Sequence, residues 1–282
     1  MGCLDKFYMH KIYSKRKFNE GIFMIGQIFP LFESGRILRR EMLEAFTDYS
    51  YRFGELLHTN YADGIISGCQ LTTTQDAIIL NPGLLCFDGR VFLVKEPTAV
   101  GYHPTNTINA LKVRCLGEVR TESSITYEME LIISEDITSR SGQIELCRFT
   151  LQPGARLRCE YVDFEDRSTE YDTINNLHSP YAAPGQSTLN PAIIKAFANE
   201  MLTYSLENTI DISFCLNVLG QPGPVCTDAI GAYVKLRADY NETAHSNKKL
   251  YDGLLSILQE IQKGNHEARR AAPQQRRTIL ID

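Results

Sequence analysis

The sequence predicts an α+β fold, with an antiparallel β sandwich or barrel-like middle between helical parts. Two observations carry this. Short apolar runs punctuated by Pro82-Gly83 and Asp88-Gly89 crowd residues 64–94, and helical apolar spacing appears only before residue 60 and after residue 190. Apolar runs closed by turn residues make strands, whereas apolar positions three and four apart make amphipathic helices. With 282 residues, 43% of them hydrophobic and 22% charged, the chain can bury a core without disulfide staples.

Residues 1–60 read as an N-terminal arm followed by a helix. Ile22, Phe23, Met24, Ile25, Ile28, Phe29 and Leu31, broken by Gly21, Gly26 and Pro30, suit an extended arm. From Gly35 to His58, the residues Leu38, Met42, Phe46, Tyr49, Phe53 and Leu56 recur at steps of four, four, three, four and three. That spacing places them on one helical stripe, with Arg39, Arg40, Glu44, Asp48 and Arg52 elsewhere on the helix. Such a stripe packs either on the chain's own core or on a partner subunit.

Residues 61–162 read as the β domain. In GIISGCQLTTTQDAIILNPGLLCFDGRVFLV, Gly64 to Val94, proline presets a turn and Gly83 is expected to take the positive φ that follows it. Asp-Gly between apolar arms is a strong hairpin signal. Ile78, Leu80, Leu85, Phe87, Val91, Phe92 and their neighbours are too apolar on both faces for a hairpin with one side in water. The unit is therefore expected to be covered by its own core and by something else, with Phe87 and Phe92 as candidate assembly residues. Leu111 to Val119 and Ile125 to Ile133 alternate with polar residues, Lys112 and Arg114 among them, as half-exposed strands. A third pair is expected between Ile144–Leu151 and Leu157–Val162, around Pro153-Gly154.

Residues 163–190 are acidic and turn-rich and read as a connector. Residues 191–263 are helical, opening with Asn190 as N-cap and Pro191 in the first turn of a helix to about Glu207. Further helices are expected from after Gly220–Pro224 to about Tyr240, and from Lys248 to Lys263. Residues 264–282 form a basic tail ending in the β-prone tetrad Thr278, Ile279, Leu280, Ile281 before Asp282. Ile279, Leu280 and Ile281 could add a strand to another sheet or dock on the chain's own body.

The net charge of −5 hides a polarity. Residues 1–20 hold five Lys or Arg against two acids, and residues 248–282 hold seven against four, so the body between them is acidic. A phosphate track needs basic side chains clustered on a folded face, so nucleic acid is not an expected partner. Basic ends on an acidic body suit docking between copies or to neighbours, or are solvated tails. No apolar run reaches the ~20 residues of a membrane span, and no signal peptide is expected behind the basic N-terminus. Eight cysteines without a CxxC pair read as small core residues of a chain folded in a reducing cytoplasm.

Motifs of familiar enzymes are absent: no GxSxG, GxxxxGK[ST], HExxH or GxGxxG occurs at a strand end. The six histidines are far apart and lack ligand spacing, so neither a metal nor a cofactor is expected. Asp163, Glu165 and Asp166 form the densest carboxylate group, a solvated turn or, alternatively, a calcium or acid/base site.

Two segments carry a family likeness that extends over about half of the chain, the Pro-Gly and Asp-Gly-Arg hairpin and Glu145 to Ala183, ELCRFTLQPGARLRCEYVDFEDRSTEYDTINNLHSPYAA. These segments resemble baseplate or tail-fibre-attachment proteins of contractile-tailed phages and of phage-tail-like particles such as tailocins and contractile injection systems. The resemblance implies a non-enzymatic structural subunit that self-associates and contacts other baseplate or tail subunits and fibre or receptor-binding proteins. It also implies folding in the bacterial cytoplasm and incorporation into an extracellular particle. A particle-associated cell-wall hydrolase, using the Asp163–Asp166 cluster, or a glycan-binding module is the alternative. The composition of 14 Tyr and no Trp does not favour a stacking platform for sugars.

Overall fold

Helix α1 (Arg40–Leu57) forms along the apolar stripe read from the sequence. Its polar side is tied by i,i+4 ion pairs, Arg40 to Glu44 at 2.6 Å and Arg52 to Asp48 at 3.3 Å. The computed structural model describes residues 34–35, 37–238 and 246–271, with side chains of the last helix as far as Gly264. The expected arm and the tetrad Thr278–Ile281 lie outside the described residues, as does the basic tail beyond residue 271; its first part, 264–271, continues the last helix instead of forming a linker. The chain divides into two units, Met1–Phe53 and Gly54–Asp282.

The second unit holds nine strands in three antiparallel, three-stranded sheets among the described residues. Strands β1 (Gly64–Gly68), β2 (Leu71–Thr73), β3 (Ala77–Leu80), β4 (Gly83–Phe87), β5 (Arg90–Val94) and β6 (Thr98–Gly101) make two of them. One sheet has the order β1-β4-β5 and the other β2-β3-β6. Asp88 and Gly89, with φ of 49° and 69°, close the β4–β5 hairpin as its sequence predicts. The Pro82-Gly83 corner is different. It joins strands of two sheets, and Gly83 does not take positive φ. Gly83 is required by space, because a Cβ there would lie 2.2 Å from the Cys69 nitrogen and 2.5 Å from the Ser67 carbonyl oxygen.

The third sheet has the order β8-β7-β9, from β7 (Ile108–Arg120), β8 (Ile125–Ser134) and β9 (Gln143–Thr150). The strand after Pro153-Gly154 expected to pair with β9 does not form. Instead β9 lies along β7, with Phe149 opposite Asn109. Residues 157–162 contribute only the isolated bridge Arg158 to Thr173. Lys112, expected to face solvent, is 2% exposed. The loop after β8 folds over it, and its ammonium donates to the carbonyls of Asp136 at 2.6 Å and Thr138 at 2.9 Å. The three sheets do not close into a barrel, but the architecture is α+β as expected.

Helices α2 (Pro191–Met201), α3 (Thr209–Gly220), α4 (Thr227–Ala238) and α5 (Asn247–Ala271) follow. The Asn190 side chain caps α2 by accepting from the Ala192 N–H at 2.8 Å. The expected single helix to Glu207 stops at Met201, because Asn208 caps a new one by accepting from the Ile210 N–H at 2.9 Å. Two hydrophobic clusters result. Ile78, Leu85, Leu111, Ile144, Phe149 and Ile174 lie in the β cluster, and Phe197, Cys215, Ile230, Tyr251 and Leu254 in the helical one. Residues 163–190 are irregular, yet Phe164, Leu177 and Leu189 are buried in the helical cluster.

Candidate functional site

Helix α1 is the exposed apolar feature. None of its residues is buried, although an amphipathic helix normally hides its apolar stripe. Leu43, Phe46, Tyr49 and Phe53 are 48%, 59%, 52% and 51% exposed. Tyr49 and Phe53, one turn apart, stack with ring centroids 5.4 Å apart. The ion pairs described above involve none of the stripe residues, so the stripe carries no charge. Scattered exposed leucines need no explanation, but a continuous aromatic row does.

The two hairpin phenylalanines are half-buried. Phe87 ends β4 opposite Arg90, and Phe92 sits opposite Leu85, both packed against the β cluster. The Phe92 ring meets Tyr127 edge-on, with centroids 6.0 Å apart, and the Arg90 guanidinium lies 4.4 Å over the same tyrosine ring. Leu93, between Phe92 and Val94, is 61% exposed. Leu85 and Cys86, neighbours on β4 that face opposite sides of the sheet, are 1% and 0% exposed, so among the described residues β4 is covered on both faces and the exposure lies on β5. Ile279, Leu280 and Ile281 are outside the described residues, so nothing places them beside the phenylalanines.

The carboxylates at 163–166 are built into the backbone. Glu165–Ser168 forms a short 3-10 helix. The Asp163 carboxylate accepts from the Asp166 N–H at 2.8 Å, and Asp166 accepts from the Val162 N–H at 2.9 Å. Arg158 holds Asp166 with both guanidinium nitrogens, and this donation is the main reason its carboxyl lies well below the usual range. A group committed in this way is a poor proton donor near neutral pH. Beside it, Asp163, Phe164, Arg167 and Glu200 line a groove of about 290 Å³. The Arg167 guanidinium lies 4.5 Å over the Tyr161 ring.

A larger cleft of about 410 Å³ lies among Ile65–Leu71, Tyr161, Tyr181, Asn190 and Pro222–Pro224. No charged side chain lines it. Among the described residues, no group of three or more His, Cys, Asp and Glu could hold a metal ion. Burial pushes the Cys69 thiol up to about 11 and the Cys215 thiol up to about 12, opposite to the shift of an activated nucleophile. His178 moves the other way for the same reason. Burial, with the charges of Arg148 and Lys248, lowers it to about 4. No helix among the described residues is long and apolar enough to cross a membrane.

Sequence reasoning missed one polar centre in the helical cluster. Asp211, fully buried, accepts from the Tyr233 hydroxyl at 2.9 Å and from Arg237 Nε at 2.8 Å. Its only sequence signal is an acid among the apolar residues of α3. Phe214 and Tyr233 stack beside it, with centroids 3.8 Å apart and planes 3° from parallel.

No protein-family model matches the chain, and no curated protein matches it. Three similar solved structures come from secretion baseplates. One is a chain of the type VI secretion system TssK-TssF-TssG baseplate subcomplex, seen by cryo-electron microscopy. It is 8% identical at a TM-score of 0.40, covering 84% of this chain and 100% of that one. A crystal structure of TssK is 10% identical at a TM-score of 0.39, covering 85% and 72%. A chain of the baseplate complex from the type VI secretion system is 8% identical at 0.36, covering 84% and 99%. At these TM-scores the likeness carries no argument about partners or chemistry.

Proposed function

We propose that this chain is a structural subunit of a contractile baseplate, of a phage or a phage-tail-like particle, acting by protein–protein assembly. The observation that carries the reading is α1, an 18-residue helix with an aromatic stripe and no buried residue. Apolar surface of this extent marks a surface for partners. The sequence resemblance of the hairpin and of residues 145–183 supplies the kind of assembly. In this reading the chain links the tail tip to neighbouring baseplate subunits and to fibre or receptor-binding proteins. It self-associates, folds in the bacterial cytoplasm and ends in an extracellular particle. The half-buried Phe87 and Phe92 contribute a second contact surface, and Ile279, Leu280 and Ile281 a strand given to a neighbour. A particle-bound hydrolase draws no comparable support, since Asp166 is tied to Arg158 and the larger cleft lacks a charged side chain.

Mass spectrometry and electron microscopy of particles induced from the native organism test this reading. Stoichiometric amounts of the chain, with density at the tail tip, are expected. Particles that lack it would overturn the proposal. A chain ending at residue 271, where α5 ends, should keep its fold and enter particles less well, and full incorporation would remove the donated strand.

A further inference from the structure

We infer that the apolar stripe of α1 is a self-pairing seam, occupied by the same helix of a second copy of this chain. The assembly role proposed above leaves the stripe's partner open, and this inference names it. Met42, Phe46, Tyr49 and Phe53 follow each other at steps of four, three and four. That is the alternation of the two seam positions of a heptad, and Leu56 continues it. Leu43 widens the seam on one side, at the position after Met42. The charged residues of the helix stay outside it, and Arg40 with Glu44 and Asp48 with Arg52 satisfy one another within the helix. A partner selected by charge would need a charge to meet on the seam, and there is none. A second seam of the same composition meets it without setting like charges against each other.

Isolated helices of this length are marginal in water, and Gly54 inside α1 weakens it further. Covering the stripe supplies what the helix lacks. Half-exposed aromatics offer roughly 75–125 Å² each and half-exposed leucines roughly 30–60 Å², so two paired seams bury about 600–1,000 Å². That reaches the lower limit of specific interfaces only when the seam is fully covered, and it fits a pairing that works together with other contacts of an assembly.

The test uses the purified full-length chain. Light scattering at micromolar concentration should give a mass of at least two copies. The double substitution Phe46→Glu with Phe53→Glu should return it to the monomer mass, with the thermal transition of the 54–264 core unchanged. Tyr49→Cys lies on the seam, and under mild oxidation should cross-link chain to chain. Arg40→Cys, on the outer face, and the parent chain should not. A monomeric parent chain, or an oligomer that survives the double substitution, overturns self-pairing. So does a chain that associates only after residues 1–33 are removed, because those residues would then be the cover. A monomer that still enters particles overturns this inference and leaves the assembly role standing. A self-pairing chain missing from particles does the reverse.

Discussion

Arg158 grips Asp166 with two parallel hydrogen bonds, Nη1 to Oδ2 and Nη2 to Oδ1, each 2.6 Å long. The pair joins the stretch after Pro153-Gly154 to the short 3-10 helix, and Asp166 also holds the Val162 N–H. The densest acidic group in the sequence is thus a staple for an irregular loop. Bidentate pairs of this kind exceed ordinary surface ion pairs, which contribute little.

Replacing Asp166 by alanine should therefore lower stability by about 1–2 kcal/mol at pH 7, the partial exposure of Arg158 holding the figure down. The folded carboxyl titrates below its unfolded value. Its contribution is present above the unfolded value of about 3.9 and fades as pH falls toward the folded one. Urea unfolding of both proteins at pH 7 and pH 3 checks this. A difference that does not shrink on acidification would show that the ion pair is not its source.

Gly83 gives a prediction of opposite character, because it concerns space and not charge. A methyl group there would meet the backbone of Ser67 and Cys69 at 2.5 Å and 2.2 Å, and backbone cannot swing aside as a side chain can. Gly83→Ala should cost at least about 2 kcal/mol, in the range of strained and overpacked sites. Gly89→Ala, open on all sides but at a φ of 69°, should cost about 1 kcal/mol. Thermal melts of the two variants that ranked Gly89→Ala as the worse would contradict the packing at Gly83.

Some of this was readable from residue order and some was not. Local chemistry was readable: Asp88-Gly89 closes its hairpin, Asn190-Pro191 opens its helix, and the stripe from Met42 to Leu56 forms one helical face. Each of these depends on neighbours a few residues away. What was hidden depends on distant chain. The partner of β9 is β7 and not the segment next to it, since a ladder can be satisfied by any strand that reaches it. Lys112 looked solvent-facing because period-2 alternation cannot show that the loop after β8 folds over it. Polar, turn-rich composition between 163 and 190 gives no sign that Phe164, Leu177 and Leu189 fill the helical cluster. At the candidate site the stripe itself was visible, but whether it is covered by its own chain was not, because periodicity is the same either way.

His178 should make stability pH-dependent. Its ring is half-buried beside Arg148 and Lys248, with Asp252 and Glu170 also near, and titrates at about 4 when folded, against about 6.5 unfolded. Below pH 6.5 the unfolded chain binds a proton that the folded chain refuses, so stability falls as pH drops from 6.5 toward 4. His178→Gln should flatten that slope by up to one proton while leaving the pH 8 stability less affected. Denaturation midpoints taken every half pH unit, for parent and variant, decide it. Parallel curves between pH 6.5 and 4 would mean that His178 is not a source of the slope.

The buried Asp211 offers the largest expected effect. Its Oδ1 takes both the Tyr233 hydroxyl and Arg237 Nε, while Oδ2 has no partner among the described residues. Arg237 reaches a second acid, Glu260, only at 3.8 Å. Asp211→Ala strands a mostly buried guanidinium and a buried hydroxyl together, a change of about 3–5 kcal/mol in comparable sites. Asp211→Asn keeps the shape and a carbonyl acceptor but not the charge, and should cost less, about 1–3 kcal/mol. Arg237→Met removes the other half. Because each single change leaves the opposite group unpaired, the double variant Asp211→Ala with Arg237→Met should be less destabilised than the two singles added together. Urea midpoints for the four proteins give the coupling. A double variant equal to the sum would mean that the two groups do not act as a pair, and that α3 and α4 are held by the stacked Phe214 and Tyr233 rings and the apolar cluster alone.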